Sequence, residues 1–131
     1  MAFLVPENLQ CLTLHYTGSL DNLADVVLGY NRGADMDIYY MDIFLDDANA
    51  TFTTTSVTLE YDDGASGADT VIDVNVSGTN TRQISVTRDN LTVSRIPGGS
   101  RFLLTTDDVA VGADLGLTMQ LWYVSGAEAS A

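Results

Sequence analysis

The strongest constraint on this chain is an alternation of apolar and polar residues with period two, which restarts roughly every 10–12 residues and stops each time at a turn. Alternation of that period buries one face of a strand, because successive side chains of a strand point to opposite sides. In residues 11–17, Leu12, Leu14 and Tyr16 share one face while Thr13, His15 and Thr17 share the other. The Gly18-Ser19 turn separates that segment from a second at 24–30. Residues 35–45 are apolar on both faces, with Met36, Ile38, Tyr40 and Phe44 opposite Tyr39, Met41, Ile43 and Leu45. This predicts a central strand covered on both sides, with a short helix as the alternative.

The pattern continues past a turn at Asp46-Asp47-Ala48-Asn49. Residues 52–61 read as a strand with Val57, Leu59 and Tyr61 on one face. The loop Asp62-Asp63-Gly64-Ala65-Ser66-Gly67 is built from residues that tolerate positive φ. Ile72, Val74 and Val76 form one face of a fifth strand, and residues 82–88 a sixth, in which Arg82 and Arg88 flank Ile84 and Val86 on the same face. Segments 91–96 and 101–106 flank the Pro97-Gly98-Gly99 turn. The last strand, 115–124, puts Leu115, Leu117, Met119, Leu121 and Tyr123 on one side. About eight to nine short strands at this spacing predict an all-β, jelly-roll-like β-sandwich. No linker, composition break or repeat divides the chain, so residues 1–131 are expected to form a single domain. Its ends, 1–9 and 125–131, are expected to be extended or flexible.

Charge narrows the partners. Eighteen acidic residues face five basic ones, for a net charge of −13, and all five cations are arginines. A surface of that sign repels nucleic acid and anionic membranes, so neither is expected as a partner. No run approaches the ~20 apolar residues of a transmembrane helix. Residues 1–6 lack the basic and apolar regions of a signal peptide, which points to synthesis in a cytoplasm. The triplets at Asn49, Asn75 and Asn90 are accordingly read as chance rather than glycosylation sites. Cys11 is the one cysteine, so no internal disulfide staples the fold.

Little catalytic chemistry is available. Cys11 and His15 lie on the same strand face, but four residues of strand separate their Cα atoms by about 13 Å, too far for a nucleophile and its base. The chain contains no nucleophile elbow, P-loop or His-Glu-x-x-His. Asp35 and Asp37 share a strand face, and Asp46, Asp47, Asp62, Asp63, Asp107 and Asp108 fall in turns. Loop carboxylates of this kind suit calcium, yet no Asp-x-Asp-x-Asp-Gly order is present, and such doublets commonly solvate a turn. Aromatic residues are too few to suggest a sugar-stacking groove. Neither a metal nor another cofactor is expected, nor is an enzyme.

Four of the five arginines, Arg82, Arg88, Arg95 and Arg101, crowd into one stretch of an otherwise negative molecule. They either neutralise the domain's own aspartates or form a docking patch on another protein, where arginine is enriched. Trp122 falls on the polar side of the last strand with Thr118, Gln120 and Val124. It is either an interface anchor or a residue of a second core face.

Three stretches carry a family likeness. Leu23-Ala24-Asp25-Val26-Val27-Leu28 is one, and Thr53-Thr54-Thr55-Ser56-Val57-Thr58-Leu59 is the next. The third is Ile96-Pro97-Gly98-Gly99-Ser100-Arg101-Phe102-Leu103-Leu104, followed by Leu115-Gly116-Leu117-Thr118-Met119-Gln120-Leu121. In order along the chain they resemble the small capsid proteins of tailed bacteriophages, the decoration or cement proteins of the outer shell. The resemblance implies a jelly-roll or β-sandwich fold, frequently trimeric, that binds the major capsid protein on the virion surface. It brings no catalytic residue. On this basis the chain is expected to stabilise a phage head by binding between capsomers. The alternatives are a tail or baseplate domain contacting host glycans, and a small secreted-type enzyme or carbohydrate-binding module.

Overall fold

The computed structural model describes residues 8–18, 20, 23–45, 51–65, 67–79, 83–107 and 116–125, with the backbone alone for 51–55, 75–79 and 107. Of the termini expected to be extended or flexible (1–9 and 125–131), residues 1–7 and 126–131 lie outside the described residues, as do the turn at 46–49, Arg82, Asp108 and the expected start of the last strand at Leu115, while Ser125 still belongs to that strand.

Strands dominate, as the alternation requires. They are β1 (Gln10–Tyr16), β2 (Val26–Tyr30), β3 (Met36–Leu45), β4 (Thr51–Asp62), β5 (Ala68–Thr79), β6 (Gln83–Thr87), β7 (Arg95–Ile96), β8 (Arg101–Asp107) and β9 (Leu117–Ser125). One sheet runs β1-β9-β3-β6, with β7 also on β3, and the other runs β2-β8-β4-β5. Pairing is antiparallel throughout, and the partners are nested, β4 with β5, β3 with β6, β2 with β8 and β1 with β9. A long hairpin rolled over on itself so that β3 meets β9 and β4 meets β8 is a jelly roll. No α-helix occurs among the described residues, so 35–45 takes the strand reading. The one helical piece is a 3-10 turn at Arg88–Asn90.

Two sequence expectations need correction. Residues 91–96 pair as a strand only at Arg95 and Ile96, because Thr92 and Val93 direct their N–H groups to the Val71 carbonyl of the other sheet. In β3 the strict alternation fails. A bulge between Ile38 and Tyr40 places one extra residue, Tyr39, against β9. The parity therefore shifts, and Met36, Ile38, Met41, Ile43 and Leu45 all reach the core, each at most 5% exposed. Tyr39, Tyr40 and Phe44 are left half-exposed and outside the core, so β3 is central but not covered on both sides.

Between the sheets lie Leu14, Leu20, Val57, Leu59, Ile72, Ile96, Phe102, Leu104, Leu117, Met119 and Leu121, together with the β3 residues. Two buried polar residues tie loops to this core. Thr106 hydroxyl donates to the Leu20 carbonyl and accepts the Leu23 N–H. The buried Asn31 amide donates to the carbonyls of Ala34 at 3.0 Å and Pro97 at 3.2 Å, while the Asn31 backbone exchanges hydrogen bonds with Gly99 and Ser100. The β2–β3 loop is thereby fastened to the β7–β8 turn.

That fastening leaves no room at Gly98, where a Cβ would sit 2.5 Å from the Gly33 carbonyl oxygen, whereas a Cβ on Gly33 would meet open space. Gly98→Ala should cost about 1–3 kcal/mol, the usual range for overpacking against an unyielding neighbour. Gly33→Ala should be close to neutral. Urea unfolding of the two variants checks the contrast.

Candidate interaction surfaces

The three described arginines of the cluster gather at one end of the sandwich, but each already has a carboxylate. Arg88 Nη2 lies 2.9 Å from Asp37 Oδ1, Arg95 Nη2 3.3 Å from Asp35 Oδ2, and Arg101 Nη2 3.0 Å from Asp62 Oδ2. Alternation would send Arg88 to the core beside Val86. The 3-10 turn instead swings it onto the outer face, with its guanidinium 4.6 Å above the Tyr39 ring. Asp37 is 3% exposed, and Arg88 is the cation that offsets its burial. The approach is an ion pair rather than an aligned hydrogen bond, since Asp37 Oδ1 and Arg88 Nη1 both lack a well-directed partner. Arg95 and Arg101 are 42% and 46% exposed and keep donors facing solvent.

The aspartates are occupied in turn. Asp35 accepts the Gly98 N–H at 2.9 Å, and Asp62 accepts the Gly64 N–H at 2.8 Å. These backbone donors first, and the paired arginines second, hold both carboxyls below the ordinary aspartate range. Asp63 accepts the Ala65 N–H, and Gly64 and Gly67 take the positive φ expected of their loop. Asp107 ends β8 rather than lying in a turn. No group of three or more metal-ligating side chains converges among the described residues. Asp46, Asp47 and Asp108 are not among these. Glu60 behaves oppositely. Burial pushes its carboxyl up, the Thr105 hydrogen bond at 2.9 Å opposes this, and neighbouring Asp25 raises it further.

The outer face of the β1-β9-β3-β6 sheet holds Trp122. Its ladder partners are Cys11 and Tyr40, and Tyr40 in turn pairs with Thr87. The next row is Thr13, Gln120, Asp42 and Ser85, in which Asp42 Oδ1 accepts the Ser85 hydroxyl at 2.8 Å. Tyr40, Asp42, Ser85, Thr87 and Trp122 line a recess of about 390 Å3. Trp122 is half-exposed and outside the core, whereas Val124, on the same side, is buried. His15 hydrogen-bonds the hydroxyls of Thr118 and Thr17 at 2.8 and 2.9 Å, and Cys11 is exposed.

Sequence reading passed over two features. Tyr40 joins Trp122 only because the bulge turns it outward, a shift of parity that no local signal marks. At the end of the sandwich near the β2–β3 loop, Arg32, Tyr30, Tyr123, Gln10 and Ser125 surround a recess of about 300 Å3. Arg32 stands apart from the arginine cluster in sequence, and its exposed neighbour Tyr30 sits at a strand end where alternation says nothing.

No protein-family model matches this chain, and no curated protein is a significant match. Solved structures do resemble it. A chain from the capsid of Ralstonia phage GP4 superposes with a TM-score of 0.57 at 14% identity, covering 96% of this chain and 92% of that one. A chain of the cyanophage Pam1 capsid gives 0.47 at 17% identity, covering 95% and 94%. The N-terminal cellulose-binding domain of a Cellulomonas fimi β-1,4-glucanase gives 0.41 at 14%, covering 90% and 82%. At such identities the first likeness shows the fold alone, and the two lower scores add nothing to it.

Because Asp37 is buried, Arg88→Ala should destabilise the domain by about 1–3 kcal/mol, less than for a fully enclosed pair since Arg88 is partly solvated. Adding Asp37→Asn should recover part of that loss in urea unfolding. Acid titration carries a second expectation. A carboxyl whose folded pKa is depressed contributes stability above its unfolded value and loses it as pH falls through the folded value. Asp35 and Asp62 should therefore give a modest acid limb below the ordinary aspartate value of 3.8, flattened by Asp35→Asn or Asp62→Asn. Glu60, raised on folding, contributes instead below its ordinary value of 4.5 and loses that contribution as pH rises through its folded value. Glu60→Gln should thus gain stability relative to wild type near neutrality. Thermal midpoints across the acid range read both signs.

Proposed function

We propose that this domain is a structural protein of a bacteriophage particle, a decoration or cement protein bound to the major capsid protein on the outer shell. The observation that supports this reading is the near end-to-end likeness in fold to a capsid chain of Ralstonia phage GP4, which is itself of about this size. The domain is made in the host cytoplasm, assembles as a homotrimer and performs no catalysis. Its physical role is to bury additional surface across joints between capsomers, which offsets the outward pressure of packaged DNA. The solvent-facing donors of Arg95 and Arg101 and the half-exposed Trp122 are the groups available for docking. Arginine and tryptophan are the residue types that concentrate binding energy at such contacts.

A second reading is favoured by one observation. The Trp122–Tyr40 recess combines an aromatic platform with the Asp42 carboxylate and Ser85 hydroxyl, a combination suited to a sugar ring. In that case the domain belongs to a tail or baseplate and contacts host glycans.

Cryo-electron microscopy of particles of the virus that encodes the chain should show this sandwich on the outer shell. Density confined to the tail, or none, would overturn the first reading, and Trp122-dependent signals on a glycan array would raise the second. Arg95→Gln with Arg101→Gln, and separately Trp122→Ala, should lower shell occupancy while leaving the melting temperature near that of wild type. Unchanged occupancy with a large fall in melting temperature would restrict these residues to folding.

A further inference from the structure

We propose that the recess around Arg32 accepts a carboxylate side chain from a second copy of this chain, in a head-to-tail contact that closes into a ring. This rests on the reading, given above, that the domain self-associates, and it assigns the residues of the joint.

The first argument is charge. Arg88, Arg95 and Arg101 each meet a carboxylate of their own chain, but Arg32 has no ion pair among the described residues. In a chain with 18 acidic and 5 basic residues, carboxylates are abundant on any second copy and an uncommitted guanidinium is scarce. Arginine's planar fork takes a carboxylate through two parallel hydrogen bonds, giving orientation along with attraction.

The second argument is the surroundings. Tyr30, beside Arg32, is 57% exposed and projects at the rim of the recess, with Tyr123 also lining it. Tyrosine next to arginine is the composition of interface centres. A volume of about 300 Å3 suits an inserted side chain with a few flanking atoms rather than a folded segment. The Asn31 hydrogen bonds hold the backbone that carries Arg32, so the site is positioned before a partner arrives.

The third argument concerns symmetry. None of the described lining residues is acidic. Two copies meeting recess to recess about a two-fold axis would set Arg32 against Arg32. The carboxylate must come from a different surface of the neighbour, and contacts between unlike surfaces close into rings of three or more when the rotation permits. A two-fold axis centred on the recess is therefore excluded, and the homotrimer of the reading above takes the head-to-tail form.

Light scattering on the full chain at micromolar concentration tests the inference, with wild type, Arg32→Glu, Arg32→Lys and Tyr30→Ala compared and each variant melted. Wild type should show the mass of three or more copies. Arg32→Glu should dissociate to monomer with at least about tenfold weaker association, equivalent to about 1.4 kcal/mol or more. Arg32→Lys and Tyr30→Ala should fall between. All three should keep the melting temperature of dissociated wild type. Salt is a poor substitute for charge reversal, because it screens repulsion between chains of charge −13 as well as the pair. A monomeric wild type would overturn both this inference and the self-association it rests on. An oligomer whose mass ignores Arg32→Glu would overturn the inference alone, as would a wild-type dimer. A lower melting temperature for dissociated Arg32→Glu would mean that the chain's own carboxylates fill the recess, and would also overturn it.

Discussion

The ladder between β3 and β9 is the interaction on which the rest of the sandwich depends. It joins residues 36–45 to residues 117–125 through nine partner pairs and places both strands in the middle of their sheet. Their inner faces supply Met36, Ile38, Met41, Ile43, Leu45, Leu117, Met119 and Leu121 to the core. Without that pairing, the β1–β9 pair would be detached from β3 and β6, and only the β4–β8 ladder would hold the nested hairpins together. Pairing strands so distant in sequence requires closing a long loop first, an entropic cost that makes jelly-roll folding slow relative to helical domains. The bulge within the same ladder then decides which aromatic side chains face outward, so stability and surface chemistry share one element.

Electrostatics imposes the second constraint. With a net charge of −13, the folded chain places its few arginines where carboxylates would otherwise crowd. Arg88 compensates an aspartate that the fold buries, and the Tyr39 ring beneath it completes the site. Arg95 and Arg101 act at the surface, where water screens the pairs and turn amides do more than the guanidinium to hold the carboxylates ionised. The three pairs thus cancel charge where they stand, in a chain whose net charge is −13.

A jelly roll does not dictate a function, because the same two sheets serve shells, lectins and enzymes. What distinguishes this one is where its polar and aromatic groups stand. Loops and strand ends carry the arginines and the Arg32 recess, while the outer sheet face carries Trp122 and Tyr40. Trp122 and Tyr40 thus stand on a different part of the domain from the Arg32 recess, whereas Arg101, the ladder partner of Tyr30, borders that recess.

Most of the fold class was legible in the chain. Alternation marked eight of the nine strands closely, and the glycines of 62–67 and 97–99 marked turns, because strand burial and positive φ are local demands that residue type reports directly. The acidic balance and the crowding of four arginines were equally plain. Tertiary structure decided the rest. The bulge at Tyr39 arises from register against β9, more than seventy residues away, so parity in β3 could not be read locally. That Arg88 leaves the core side, that Arg95 meets Asp35 and Arg101 meets Asp62, and that Arg32 meets no carboxylate among the described residues all follow from which loops the nested pairing gathers at one end. Residue type sets what each side chain can do, but an ion pair needs two groups within about 4 Å, and only the folded register brings them there.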